Sequence, residues 1–207
     1  DLHFWFECST RYASGVNPPA SRRDALLDAV SDHVLAHGLI GLTLRPVAAA
    51  IGTSDRMLVY HFGTRDDLVS AVVEHIGARS VDAVDALPGA RTVRAGVNAL
   101  WVAYRTEPLR GCLDVYLQAA ATGLIGREPY LSDVRASNAR WTAALERYFL
   151  RCGAAPRRVR RVVPLVDSAL YGFHLDLTTD SPEHLSGGVD DLARAAQTIA
   201  HPAPTRE

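Results

Sequence analysis

Ser54, Asp55 and Arg56 stand side by side in the stretch Thr43 to Leu68, TLRPVAAAIGTSDRMLVYHFGTRDDL. Their side chains carry the hydrogen-bonding groups that read base edges: a guanidinium pairs bidentately with guanine, a carboxylate accepts from cytosine, and a hydroxyl serves either role. Around them, Thr43, Arg45, Thr53, Tyr60, His61, Thr64 and Arg65 supply cationic and hydroxyl groups suited to phosphate oxygens. Other spacings invite metal or acid–base chemistry without sustaining it. Asp167, Tyr171 and His174 share a helical face at i, i+4 and i+7, yet no second histidine completes a ligand set and no serine or cysteine has an evident base. His33 and His37 fall at the end of a helix, where partly cationic imidazoles meet the helix dipole favourably. Cys8, Cys112 and Cys152 are far apart and lack CxxC spacing, so three reduced, buried thiols are expected rather than a disulfide framework or zinc site. No catalytic residue, metal site or cofactor is assigned.

The elements that must position the base-reading trio are legible in the same stretch. Thr43 can cap a first short helix, with Pro46 in its opening turn, where a missing N–H matters little. Ala48 is small where two helices must cross closely, and Gly52 falls where the turn requires positive φ. Thr53 or Ser54 can cap the second helix, whose apolar side is Leu58 and Phe62, leaving Ser54, Asp55, Arg56, Val59 and Tyr60 on other faces. Gly63 ends that helix, and Thr64 to Asp67 forms a capping box ahead of the stripe Leu68, Val69, Val72, Val73, Ile76. Upstream, Leu26, Ala29, Val30 and Val34 recur at helical spacing between Ser21 and Gly38. The pattern predicts a three-helix head whose last short helix is a rod suited to the major groove of DNA.

Carried by His37-Gly38, Thr43-Leu44-Arg45, Val47-Ala48, Ile51-Gly52, Leu58 to Phe62 and Thr64-Arg65, the head resembles the TetR family of bacterial transcriptional regulators. Where the family has tyrosine directly after the leucine and lysine at the start of the next helix, this chain has Val59 and Arg65, with Tyr60 as the nearest ring. The resemblance implies an all-α fold: a helix-turn-helix head on a larger helical ligand-binding and dimerisation body. It divides the chain into an unassigned arm at 1–20, a DNA-binding domain at 21–67 and a body at 68–207. It further implies a homodimer on a palindromic, inverted-repeat operator in double-stranded DNA, acting as a repressor and released by a small-molecule effector.

Composition bounds these expectations. Apolar residues make up 48% of 207, ample for a core, and no apolar run nears the roughly 18 residues of a membrane span. The amino end lacks a signal peptide's charged start and long apolar middle, so a cytoplasmic protein without a membrane partner is expected. Charge is less helpful. Net charge is -1, and between Ser21 and Ser70 the arginines 22, 23, 45, 56 and 65 face the aspartates 24, 28, 32, 55, 66 and 67. DNA binding therefore requires the aspartates to cap helices or point away.

Breaks at Pro88-Gly89, Pro108, Pro129, Gly153 to Pro156 and Pro182 separate helical windows with no strand alternation. The windows Arg157 to Leu177 and Gly188 to Ala200 resemble the family's dimerising pair, with Pro164 expected to kink the first. Of the large amphipathic residues between, Trp101, Tyr104, Tyr116, Trp141 and Phe173 are the candidates to touch an effector. Few charges interrupt Cys112 to Gly126, which favours an apolar or aromatic effector, although Asp114 could anchor a cation. Two rival classes remain: a small-molecule-binding helical protein or enzyme without DNA binding, and a helical adaptor for another protein.

Overall fold

A computed structural model describes residues 21–201; the amino-terminal arm, with Cys8, lies outside the described residues. The described residues form nine helices and no strand. The head is α1 (Arg22–His37), α2 (Leu44–Ala50) and α3 (Asp55–Phe62). The body comprises α4 (Arg65–Asp85), α5 (Val93–Tyr104), α6 (Leu109–Leu124), α7 (Tyr130–Arg151), α8 (Val159–Asp176) and α9 (Pro182–Ala200).

Caps set the head. Ser21 and Asp24 close a capping box on α1, the Ser54 hydroxyl accepts from the Met57 N–H at the start of α3, and Thr64 and Asp67 close a second box on α4. Thr43 occupies the N-cap position of α2, but its hydroxyl makes no capping bond, so that seven-residue helix is held by packing of Val47 and Ala48. Gly52 adopts φ +72° in the hinge, a conformation that side chains with a Cβ resist.

Two apolar cores meet along α4. One joins Leu26, Val30, Val34, Val47, Leu58 and Phe62 of the head to the first half of α4 and continues into Cys112, Val115 and Ala119 of α6 and Tyr130 of α7. The other fills the space between α5, α7, α8 and α9. Because Leu68, Val69, Val72, Val73 and Ile76 belong to the head's core, the head is welded to α4 rather than tethered to it.

The caps set where α5 and α9 begin, the latter earlier than the sequence window, and α8 runs on through its proline. α5 starts at Val93, because the Thr92 hydroxyl caps it through the Ala95 N–H. α9 starts six residues before Gly188, because Ser181 caps it and Pro182 fits the first helical position. α8 continues through Pro164, which lies in its second turn with its ring exposed, so the missing hydrogen bond does not end the helix.

Candidate nucleic-acid interface and effector chamber

On α3, Leu58 and Phe62 are buried against the head core, and Ser54, Asp55, Arg56, Val59 and Tyr60 are exposed, with Tyr60 at 79%. The result is an outward ridge whose base-reading trio projects from the helix's first turn. The Asp55 carboxylate accepts the Arg56 backbone N–H at 2.9 Å, and the Arg56 guanidinium has no partner among the described residues. Thr43 and Arg45 are exposed at the start of α2, and half-buried Thr53 is pinned in the hinge by its N–H to the Ala48 carbonyl at 2.9 Å. His61 is half-buried, with Nε2 enclosed and unpartnered and its ring set edge-on to Tyr60.

Two residues expected to grip phosphate make bonds within the protein, exposed Thr64 in a helix cap and half-buried Arg65 between head and body. The Thr64 hydroxyl donates to the Asp67 carboxylate at 2.7 Å and accepts the Asp67 N–H at 3.1 Å, which completes the cap. Arg65 donates from Nε to the Leu42 carbonyl at 3.0 Å, from one terminal nitrogen to Asp66 at 2.8 Å and from the other to the Tyr130 hydroxyl at 2.8 Å. Its fork spans the loop before α2 and the start of α7, so it locks the head to the body. Gln118 of α6 does the same for the α1–α2 turn, its side-chain carbonyl accepting the N–H groups of Leu39 at 2.7 Å and Ile40 at 3.1 Å. Neither Gln118 nor Tyr130 is marked in the sequence as a head–body contact, since a lone amide or phenol on a helix carries no periodic signal for it.

The charge difficulty resolves locally. Asp24 and Asp67 cap helices, Asp66 pairs with Arg65, and Asp28 and Asp32 clamp Arg79 of α4 at 3.1 and 2.6 Å. Of the head's aspartates only Asp55 is left on the α3 ridge.

In the body, a cavity of about 30 Å³ lies between α4, α6, α7 and α8, lined by Ile76, Ser80, Cys112, Tyr116, Ser137, Trp141 and Tyr171 among others. Of the expected ligand contacts, Tyr116 and Trp141 reach it. Tyr104 stands behind it, fully buried against the Trp141 and Tyr171 rings. Trp101 and Phe173 face α9 instead, edge to face at 6.1 Å, where Phe173 packs so close to Gly188 that a Cβ there would sit 3.0 Å from its ring. Core packing claims these two. Tyr171 is a cavity residue that ranking by aromatic type missed, although its i+4 spacing from Asp167 was visible. Burial pushes the Cys112 thiol up to about 11, so it is an inert wall rather than a nucleophile. Asp114 is engaged by the His174 Nε2–H at 2.7 Å, with Arg110 at 3.7 Å, which removes it as a free anchor for a cation. No group of three metal-ligating side chains occurs among the described residues, and no described helix is long and apolar enough to cross a membrane.

No family model matches the chain. A curated relative, the HTH-type transcriptional regulator BetI of Rhizobium meliloti, is 27% identical over 127 residues, taking in 50% of this chain; the match spans 63% of that protein's length. The solved structure of the multidrug binding protein EbrR, complexed with imidazole, covers 91% of this chain and is itself covered to 99%, at 27% identity and TM-score 0.61. A Rhodococcus sp. protein described as a TetR-family transcriptional regulator superposes at TM-score 0.64 with 18% identity, covering 86% of this chain and all of its own, a likeness of fold. In its capped, glycine-hinged helix pair and in the order of its described helices, the chain is thus similar to these proteins and shares the fold of the TetR-family structure.

Proposed function

We propose that the protein is a sequence-specific DNA-binding regulator of transcription, and the observation that carries this reading is the exposed α3 ridge. The ridge presents Ser54, Asp55 and Arg56 to base edges, with Tyr60 beside them and Thr43, Arg45 and Thr53 flanking for phosphates. His61 supports the Tyr60 ring, and Thr64 and Arg65 set the tilt of the rod rather than touching DNA.

One such head buries too little surface for tight specific binding, whereas two related by a twofold axis read an inverted repeat. The outer faces of α8 and α9 support a homodimer. Leu165 and Leu175 are exposed at 38% and 55%, and Gly172 and Gly187 lie within these helices with open space where a Cβ would point. A mid-helix glycine is about 1 kcal/mol worse than alanine, so two with nothing near them fit a surface awaiting close approach by a second copy. In this reading an apolar or aromatic effector enters the body cavity and releases the operator, making the protein a cytoplasmic repressor with no catalytic role.

Selection from random duplexes tests the proposal: a palindromic consensus should emerge, and a mobility shift with that duplex should saturate at two chains per site. Enrichment of no sequence over background would overturn it.

A further inference from the structure

The wall of the body cavity has a chemical bias that the general effector reading does not use. Asp167 sits on α8, one turn before Tyr171, with its Oδ1 accepting the Trp141 indole N–H at 2.8 Å and the Tyr104 hydroxyl at 3.2 Å. Both donors are neutral. No arginine or histidine of the described residues lies within ion-pair distance of this half-buried carboxylate, although charges withdrawn from water are as a rule paired. Two arginines of the helices that line the cavity are held by other carboxylates: Arg79 of α4 by Asp28 and Asp32, and Arg110 of α6 by Glu107.

In front of the carboxylate stand the rings. Tyr171 stacks on Tyr116 with centroids 5.1 Å apart and touches Trp141 at 6.4 Å and Tyr104 at 5.9 Å. Tyr116, Trp141 and Tyr171 line the cavity, and none of its lining residues is basic or acidic. An aromatic face attracts cations through its quadrupole. A carboxylate accepting from the indole N–H pushes electron density into that ring and makes its cavity face more negative. The remaining polar groups at the wall, the Ser80 and Ser137 hydroxyls, are neutral, and the Ser80 hydroxyl already donates to the Gly77 carbonyl.

We propose, building on the reading of this cavity as the effector chamber, that its ligand is a monovalent organic cation with a quaternary or aromatic ammonium head, cradled by Tyr116, Trp141 and Tyr171 with Asp167 behind them as counter-charge. The present volume of about 30 Å³ admits water only, so the ligand parts the Tyr171–Tyr116 stack as it enters. That displacement bears directly on α6 and α8, and α6 carries Gln118, the clasp of the α1–α2 turn.

The experiment titrates the full-length protein calorimetrically with benzyltrimethylammonium, with its neutral carbon isostere neopentylbenzene, and with phenylacetate. The cation should bind at least about tenfold more tightly than the neutral isostere, the scale of one desolvated cation–π contact, and phenylacetate should not bind. Asp167→Asn keeps an acceptor for both donors and should bring cation and isostere within about twofold of each other, with binding of the isostere retained. Trp141→Phe, which breaks the link between carboxylate and ring, should lower cation affinity selectively. If the neutral isostere binds the wild-type protein as tightly as the cation, or Asp167→Asn leaves the preference intact, the inference is overturned while the effector chamber stands. If none of the three probes binds, chamber and inference fall together.

Discussion

Replacing Gln118 with leucine isolates one polar clasp between head and body. The side-chain carbonyl of Gln118 accepts two backbone N–H groups, those of Leu39 and Ile40, from the turn that joins α1 to α2. Leucine approximates the volume of glutamine but offers no acceptor. Ile40 is exposed at 67%, so its N–H finds water and its loss is nearly neutral. Leu39 is different: its side chain is fully buried, and its N–H points into the interface with α6. A buried donor left unsatisfied costs about 1–3 kcal/mol. In a chain of this size each kcal/mol moves the melting temperature by roughly 2–4 °C, so a mid-range loss lowers Tm by about 4–8 °C. The assay is thermal unfolding followed by far-ultraviolet circular dichroism, at fixed protein concentration because the proposed dimer would contribute to Tm. Gln118→Glu keeps the acceptor and should melt close to the wild type at neutral pH. A leucine variant within about 1 °C of wild type, or a glutamate variant that falls equally far, would refute the claim that the Leu39 N–H depends on this side chain.

Other perturbations separate the roles assigned above. Arg56→Ala should lose about 1–3 kcal/mol of operator affinity, confined to one base pair per half-site, and equal losses on operator and scrambled duplexes would remove Arg56 from base reading. Arg65→Ala should destabilise the fold by about 1–3 kcal/mol in urea titrations, yet leave the slope of log affinity against log salt unchanged; flattening by about one unit would restore Arg65 as a phosphate contact. Gly172→Leu should produce a monomer in analytical ultracentrifugation while preserving helical content, and an unaltered dimer would move the interface away from this face of α8.

What the sequence disclosed follows from how local each signal is. The α1 and α4 capping boxes, the Gly52 hinge and the Leu58/Phe62 side of α3 are all encoded within a few residues, so their elements were legible and α3 exposes the residues that the pattern left outside. Arg65 was not legible in the same way. Its charge and position fit a phosphate contact, and only the fold brings Leu42, from 23 residues earlier, and Tyr130, from 65 residues later, within reach of its guanidinium. Trp101 and Phe173 illustrate the same limit, since an aromatic residue on an amphipathic helix has no mark that separates a core-filling ring from a cavity wall. The Asp167–Tyr171–His174 face was visible as a spacing. Its meaning depended on Trp141 and Asp114 arriving from other helices, which split the trio into two unrelated contacts.

Asp167 also supplies a test in which stability opposes function. Burial raises its carboxyl pKa, and the hydrogen bonds from Trp141 and Tyr104 oppose that shift without cancelling it. The sign follows from linkage. A carboxyl whose folded pKa exceeds its unfolded value binds its proton more readily in the native state, so native stability declines as pH rises from the unfolded pKa through the folded one. Above that window the folded protein carries an ionised group in a poor solvent. Asp167→Asn removes the titration and retains an oxygen for both donors, so it should melt above the wild type at pH 7, and its advantage should shrink as pH falls toward 4. Thermal scans of both proteins at the two pH values measure this directly. A variant that melts lower at pH 7, or a difference that does not change with pH, would mean that the carboxylate is well solvated by its neighbours; it would then not be an unpaired charge held at some expense of stability for the sake of a cationic ligand.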